Sequence, residues 1–189
     1  LELLSAQVAI SLLNARLYES LEAKVQQRTE ELRQMSMKDG LTGIANRRAF
    51  LDAAHQELSR VNRSESPLTV LMLDIDHFKK VNDRFGHDVG DDLLAEFARR
   101  IEKGLRGYDQ FARLGGEEFA VMLPGCNLEQ AVATAERLRH AISAEPFAVR
   151  GNIVPMTVSI GVGIVREFEM TIDGVLTRAD TALYAAKDN

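Results

Sequence analysis

The first 35 residues carry apolar side chains every three or four positions, and neither proline nor glycine interrupts them. This spacing predicts one continuous helix. The apolar positions follow a heptad-like order, but the two four-residue steps Leu17–Leu21–Val25 break strict seven-residue repetition. A narrow apolar stripe on so long a helix is typical of a coiled coil, although one long surface helix packed on its own domain is the alternative.

The pattern changes between Lys38 and Asn46, where two glycines mark a junction. We therefore divide the chain into an N-terminal coiled-coil helix, residues 1–37, and a globular domain, residues 38–189. Four short apolar runs predict strands, namely Leu68–Leu73, Phe111–Leu114, Phe119–Leu123 and Met156–Val165. Helical periodicity predicts five helices, namely Arg47–Val61, Phe78–Phe85, Asp91–Leu105, Glu129–Ala144 and Thr171–Lys187.

Two features of this order indicate the fold class. Gly115 and Gly116 separate two strand-like runs, which predicts a β-hairpin, whereas the other strands are joined through helices. Asp91 and Asp92 suit the N-terminus of the third helix of the domain. We expect an α+β fold with a mainly antiparallel central sheet flanked by helices.

Composition limits the classes of function. A chain of 189 residues with 46% apolar content is large enough for one buried core and an appendage, and its net charge of −5 argues against a nucleic-acid partner. The single cysteine, Cys126, excludes a disulfide framework and is expected to be a loop or packing residue. No apolar run is long enough for a membrane segment, so we expect a cytoplasmic protein. Because the chain begins at Leu1 without methionine, we expect a fragment whose upstream portion is missing.

The predicted hairpin carries two adjacent carboxylates, Glu117 and Glu118, directly after Gly115 and Gly116. Glycine can adopt positive φ, so the backbone can approach a ligand closely at this turn. Taken alone, the segment is also compatible with an ordinary β-turn that carries solvated acids.

A second acidic segment makes a nucleotide site the better interpretation. The buried run Leu68–Leu73 ends at Asp74 and Asp76, and Lys79 follows shortly afterwards. Mg²⁺ prefers one or two carboxylates together with phosphate oxygens and water, so a strand-end aspartate facing a hairpin glutamate suits it. The side chains on adjoining elements that could read the polar edge of a purine are Asn82 and Asp91.

Several motifs, in this order along the chain, resemble the GGDEF family of diguanylate cyclases. The segments are Asp39–Gly43, Asn46–Arg48, Asp74–Lys79, Gly86–Asp91, Gly115–Phe119, Ser159–Val162 and Ala179–Lys187. The resemblance extends over nearly all of residues 39–187. It implies a fold like the palm of nucleotidyl cyclases and polymerases. It also implies condensation of two GTP molecules into cyclic di-GMP, with release of two pyrophosphates, by a homodimer joined through the N-terminal helix. In such proteins this is a signalling helix that follows a sensor domain, which we expect upstream of this fragment.

The resemblance also implies roles for individual residues. The metal, Mg²⁺ or alternatively Mn²⁺, is expected to bind to Asp74, the Ile75 carbonyl and Glu117. Glu118 is expected to assist the attacking 3′-hydroxyl or to hold a second metal. The catalytic positions are Asp74, Lys79, Glu117 and Glu118. The substrate-binding positions are Asn82, His87 and Asp91 for guanine, Lys79 and Lys187 for phosphates, and Phe78, Gly115 and Gly116 beside them. The ordinary alternatives are a turn cap for His87 and a core position for Phe78.

Arg106 and Asp109 match the family's RxxD product-inhibition motif, and Arg137 matches its secondary arginine. Arginine can bond phosphate or guanine, and an aspartate can accept from guanine N–H groups, so the three side chains are expected to bind cyclic di-GMP. A surface Arg–Asp pair is the alternative.

Other functions remain open from the residues alone. One is a catalytically silent module that binds cyclic di-GMP or GTP, and another is a dimerisation adaptor. Such silent domains usually lack an acid in the hairpin. Because Glu117 and Glu118 are both present beside Asp74, we favour the active enzyme.

Overall fold

The computed structural model describes residues 16, 18, 21–22, 24–25, 28, 37–64, 66–166, 169 and 171–187. The chain divides into two compact units, residues 1–37 and 38–189. In the first unit, the described residues between 16 and 28 are helical. The remaining positions of the predicted coiled coil, including Leu17 of the irregular heptad step, lie outside the described residues. Among the residues that are described, no helix is long and apolar enough to cross a membrane.

The second unit is built on a five-stranded sheet with the order β1-β3-β4-β2-β7. Its strands are β1 (Ala45–Asn46), β2 (Leu68–Ile75), β3 (Gln110–Gly115), β4 (Glu118–Pro124) and β7 (Val158–Ile164). Only β1 and β3 pair in parallel; the other three pairings in this sheet are antiparallel. A separate hairpin consists of β5 (Phe147–Val149) and β6 (Asn152–Val154).

Helices cover both faces of the sheet. They are α1 (Arg47–Ser64), α2 (Phe78–Phe85), α3 (His87–Lys103), α4 (Leu128–Ser143) and α5 (Asp173–Lys187). One core cluster packs the sheet against α2, α3 and α4, and a second packs it against α1 and α5. Successive residues of β2, such as Met72 and Leu73, point into opposite clusters. This explains why β2 reads as an uninterrupted apolar run. The predicted α+β fold with a mainly antiparallel sheet is confirmed.

The prediction for the start of α3 was wrong. The helix begins at His87, four residues before Asp91, and Asp88 is the acidic residue of its first turn. Gly86 separates α2 from α3 at φ 85°, and its N–H donates to the Asn82 carbonyl. This positive φ is available to glycine at little cost, so one helix ends and the next begins at a single residue.

Three short strands escaped prediction, namely β1, β5 and β6. The turn between β5 and β6 contains Arg150 at φ 46° and Gly151 at φ 78°. Two central residues with positive φ are typical of a tight type I′ hairpin. The sequence also understated β2, which continues through Asp74 to Ile75, so that Asp74 lies within the strand.

The helix α5 packs with its backbone directly against β7. A Cβ on Gly161 would lie 2.0 Å from the Ala179 carbonyl oxygen, and one on Gly163 would lie 2.5 Å from the Val175 oxygen. Only glycine fits at these two positions. This close packing brings the C-terminal end of α5 over the end of β2.

Candidate active site

The two predicted acidic segments meet at one end of the sheet. Asp74 of β2 is paired with Glu118 of β4 across the antiparallel ladder. Beyond this pair, the Ile75 N–H donates to the Glu117 carbonyl oxygen over 3.4 Å. Residues directly opposite each other in such a ladder point to the same face of the sheet. The side chains of Asp74 and Glu118 therefore lie on the same face of the sheet. Glu117 directly precedes Glu118 in the turn.

The turn between β3 and β4 depends on its two glycines. Gly115 has φ 153° and Gly116 has φ 51°, and neither has a heavy atom within 4 Å of the place that a Cβ would take. The space above the turn is open, so a ligand could lie close to its backbone. Glu117 is half-buried in this turn and Glu118 is exposed.

Asp74 is a nearly buried carboxylate, 8% exposed. The ammonium nitrogen of Lys187, in the last turn of α5, lies 2.7 Å from Asp74 Oδ1. The structure therefore brings Lys187 to the carboxylate proposed for the metal. Lys79 is exposed on α2 and forms no ion pair with any of the described residues.

Asp76, the second acid after the apolar run, serves a different purpose. Its carboxylate accepts hydrogen bonds from the hydroxyls of Thr157 at 2.6 Å and Ser159 at 2.7 Å, and its N–H donates to the Thr157 carbonyl. The next residue, His77, is exposed and left-handed at φ 58°, and α2 begins directly after it. Asp76 thus anchors the end of β2 to the beginning of β7. The sequence indicated an acid at this position but gave no sign of its partners.

Asn82 packs against a helix position that lacks a side chain. A Cβ on Gly90 would lie 1.9 Å from Asn82 Oδ1 and 3.3 Å from Cζ of Phe78. Asn82 Oδ1 is buried and accepts no hydrogen bond from the described residues. Buried acceptors are rarely left unpaired in folded proteins, so this oxygen suits a ligand's N–H donor.

The other predicted guanine contacts lie beside Asn82. Asp91 follows Gly90, and His87 precedes Asp91 by one helical turn, so both exposed side chains lie on the same side of α3. Phe78 is 6% exposed and belongs to the apolar core, which is the alternative that the sequence offered to a direct substrate contact. It supports the site from beneath.

Arg113, which the sequence pattern did not single out, holds the turn between β3 and β4. Its Nε donates to the Gly116 carbonyl at 2.9 Å, and its Nη1 lies 3.2 Å from Asp39 Oδ1. The same Asp39 oxygen accepts from the Thr42 N–H at 2.8 Å and hydroxyl at 2.7 Å. Arg113 therefore links the start of the domain to the hairpin.

These contacts determine the ionisation of Asp39. Partial burial alone would raise its pKa, but the hydrogen bonds from Thr42 and the guanidinium of Arg113 together hold the pKa below its ordinary value. Because the pKa is lowered on folding, the interaction stabilises the fold above the ordinary carboxyl pKa. This stabilisation is lost as the pH falls through the lowered value.

The donor set at the end of the sheet fits a hard divalent cation. Asp74, Glu117 and the Ile75 carbonyl supply only oxygen ligands, as Mg²⁺ prefers. In the described part of the chain, no three His, Cys, Asp or Glu side chains are grouped closely enough to hold a metal by themselves. A cation here would rely on two carboxylates, a carbonyl, water and ligand oxygens.

The three residues predicted for product binding lie elsewhere. The Arg106 N–H donates to Asp109 Oδ2 at 2.7 Å, Arg106 Nη1 donates to the Tyr108 hydroxyl at 2.9 Å, and Arg137 Nη1 donates to the Gly104 carbonyl at 2.6 Å. This turn follows the C-terminus of α3, whereas His87 is at its N-terminus. At about 1.5 Å per residue, 17 helical residues separate the two regions by roughly 25 Å.

Cys126 is 3% exposed. Burial raises the pKa of its thiol, although the nearby Arg106 acts in the opposite direction. This agrees with the packing role expected for it.

Comparisons with known proteins identify a family. Residues 36–189 match the family model described as "Diguanylate cyclase, GGDEF domain". The chain is 44% identical over 158 residues to "Diguanylate cyclase DgcP" of Pseudomonas aeruginosa, covering 84% of this chain and 23% of that protein. It is 40% identical over 156 residues to "Response regulator PleD" of Caulobacter vibrioides, covering 82% and 34% respectively. The chain thus spans a quarter to a third of the length of these curated relatives.

A solved structure resembles most of the chain. The coiled coil and GGDEF domain of DgcB from Caulobacter crescentus, in complex with c-di-GMP, superposes with a TM-score of 0.81 at 32% identity. The match covers 93% of this chain and 94% of that one.

Proposed function

This chain belongs to the GGDEF family of diguanylate cyclases, and we propose that it condenses two GTP molecules into cyclic di-GMP with release of two pyrophosphates. The observation that carries the proposal is the meeting of Asp74, Ile75 and Glu117 at one end of the sheet, with the ammonium of Lys187 on Asp74. A pair of carboxylates beside a lysine ammonium suits a nucleoside triphosphate and its metal.

Asp74, Glu117 and the Ile75 carbonyl would hold Mg²⁺, or Mn²⁺ in its place. When bound, such an ion stabilises negative charge on phosphate oxygens. Lys79 and Lys187 would bind the triphosphate and neutralise the departing pyrophosphate. Glu118, exposed beside Asp74, would accept the proton of the attacking 3′-hydroxyl. The new bond joins that oxygen to an α-phosphorus, and the bond from this phosphorus to the pyrophosphate oxygen breaks.

Guanine would be recognised between α2 and α3. The buried and unpaired Asn82 Oδ1 can accept from guanine N–H groups, and Asp91 can do the same from α3. Adenine lacks the N1–H and N2–H₂ donors, so two acceptors favour GTP over ATP. His87 would lie beside the base.

The cyclic product contains two equivalent phosphodiester links. The simplest arrangement is therefore a homodimer in which two sites face each other across a twofold axis, each holding one GTP. The N-terminal unit offers a means of dimerisation, because its helical residues Tyr18, Leu21 and Val25 are 69%, 59% and 58% exposed. These apolar side chains, three and four residues apart, would pair in a coiled coil. The resulting high effective concentration of domains favours the two-site reaction.

Product would bind at Arg106, Asp109 and Arg137. In support, the Arg106 guanidinium donates to the Tyr108 hydroxyl and the Arg137 guanidinium donates to the Gly104 carbonyl, both beside the turn that follows α3. Both arginines are exposed and retain free N–H donors for phosphate or guanine. Binding here would inhibit the enzyme from a distance.

Product analysis tests the proposal. The full chain is incubated with GTP and Mg²⁺, and the products are identified by mass spectrometry. We expect cyclic di-GMP with two pyrophosphates for each product molecule, and loss of product in Asp74→Asn. The control Asp52→Asn removes the charge of an exposed acid on α1 and should retain the parent rate. Bound but unconverted GTP would instead indicate a silent binding module.

The same assay tests product inhibition. Adding cyclic di-GMP should slow the parent, whereas the initial rate of Arg106→Ala should no longer respond. Arg106 is exposed, so the substitution should leave the fold intact. Equal inhibition of both proteins would show that the product binds elsewhere.

A further inference from the structure

Asp74 already has a cationic partner within the chain. The Lys187 ammonium lies 2.7 Å from its Oδ1, and the side chains of Lys187 and Asp74 are 40% and 11% exposed. Among the described residues, the Asp74 carboxylate has no other ion pair or side-chain hydrogen bond. The lysine ammonium is therefore paired with one of the carboxylate oxygens that would coordinate a metal.

The packing of α5 holds this pair in place. Gly161 lets the α5 backbone approach β7 so closely that an added Cβ would lie 2.0 Å from the Ala179 oxygen and 2.3 Å from the Leu183 nitrogen. Lys187 follows Leu183 by one helical turn. Its position over β2 therefore results from backbone contact between α5 and the sheet.

A carboxylate this deeply buried is costly without a compensating charge. The ammonium supplies that charge, but it also repels a divalent cation that approaches the same carboxylate. Lysine carries its charge on a flexible four-carbon stem, so the ammonium can leave Asp74 without movement of α5. An incoming triphosphate offers it several anionic oxygens.

We infer that Lys187 holds the position of the metal on Asp74 in the nucleotide-free protein and transfers to the triphosphate when GTP binds. Before binding, the ammonium compensates Asp74 and weakens metal binding; afterwards it compensates the nucleotide and frees Asp74. The metal and the nucleotide therefore bind together better than either binds alone. This inference rests on the proposed function, since it requires Asp74 as metal ligand and Lys187 as phosphate ligand.

Metal titration of the full chain tests the exchange. Free Mn²⁺ is followed by electron paramagnetic resonance without nucleotide, for the parent and for Lys187→Gln. We expect the variant to bind Mn²⁺ roughly fivefold to tenfold more tightly, because one positive charge has left a shielded carboxylate. The same variant should bind a non-hydrolysable GTP analogue more weakly. A merely structural role for Lys187 would not change the two affinities in opposite directions.

Two further variants separate the possible failures. Lys79→Gln removes the same charge from a lysine that does not contact Asp74, so its Mn²⁺ affinity should stay within about twofold of the parent. Asp74→Asn should abolish the Mn²⁺ binding. If Lys187→Gln binds Mn²⁺ no more tightly than Lys79→Gln while Asp74→Asn still loses it, the exchange is refuted and the metal site stands. Unchanged binding in Asp74→Asn would refute the metal site as well.

Discussion

Gly90 lies inside α3, where glycine ordinarily destabilises a helix by about 1 kcal/mol relative to alanine. Here the missing side chain leaves room for the Asn82 carboxamide, whose Oδ1 lies 1.9 Å from the position of an added Cβ. Glycine at this position thus makes room for the proposed guanine contact at the expense of helix stability. Such conflicts between local preference and tertiary packing are common at functional sites.

Gly90→Ala should therefore separate stability from binding. The added methyl group displaces Asn82, and we expect affinity for a non-hydrolysable GTP analogue to fall roughly tenfold, equivalent to about 1.4 kcal/mol. The melting temperature should change little, since helix propensity and crowding act in opposite directions. Calorimetric titration measures the affinity, and Gly40→Ala, at a position with open space around it, is the control. Parent-like affinity in Gly90→Ala would contradict the assignment of Asn82.

Functional residues could be predicted from the sequence where their immediate sequence neighbours make them stand out. Glu117 stands out because it follows two glycines, and Asp74 because it interrupts an apolar run. Arg113 and the partners of Asp76 were missed because these contacts are distant in sequence. The bond from Arg113 to Asp39 joins residues 74 apart, and the bond from Ser159 to Asp76 joins residues 83 apart. The pairing of β2 with β7 brings Asp76 to Ser159, and the packing of the turn at the start of the domain brings Asp39 to Arg113.

At the scale of elements, the contact between α5 and β7 positions Lys187 at the end of β2. Helices usually pack on sheets through side chains, but Gly161 and Gly163 bring the two backbones together. The C-terminal turn of α5 consequently reaches Asp74, and Lys187 becomes part of a site built on another element.

Gly161→Ala should disturb this contact. The new Cβ would meet the Ala179 oxygen and the Leu183 backbone, which cannot move aside as a flexible side chain can. We expect the free energy of unfolding to fall on the order of 3 kcal/mol, measured by urea denaturation. Gly40→Ala again provides the matched substitution, and a Gly161→Ala variant as stable as that control would show that α5 packs differently.

The helices and the longer strands were predictable from the sequence, whereas the shortest strands were not. The helices α2 and α4 were located within one residue at each end because their apolar faces repeat clearly. The strands β1, β5 and β6 have only two or three residues, too few for a period of two to show. The start of α3 was misplaced because Gly86 allows two helices to adjoin without a loop.

At the scale of the whole molecule, the site exists only in the folded domain. Its groups come from β2, the β3–β4 hairpin, the adjoining helices α2 and α3, and the last turn of α5. No sequence period connects these segments. The chemistry of the residues suggested that Asp74 and Glu117 form one site, whereas Lys187 was assigned to it only through the resemblance to a family. The site is one half of the proposed reaction, and the second half would come from another copy of the chain.

The central claim is that Asp74 and Glu117 hold one cation between them. Crystals grown with Mn²⁺ and a non-hydrolysable GTP analogue test it directly through anomalous diffraction. We predict an anomalous peak about 2.0–2.3 Å from oxygens of Asp74, the Ile75 carbonyl and Glu117, next to the phosphates. A metal peak that lacks either carboxylate, or nucleotide bound away from this end of the sheet, would contradict the account.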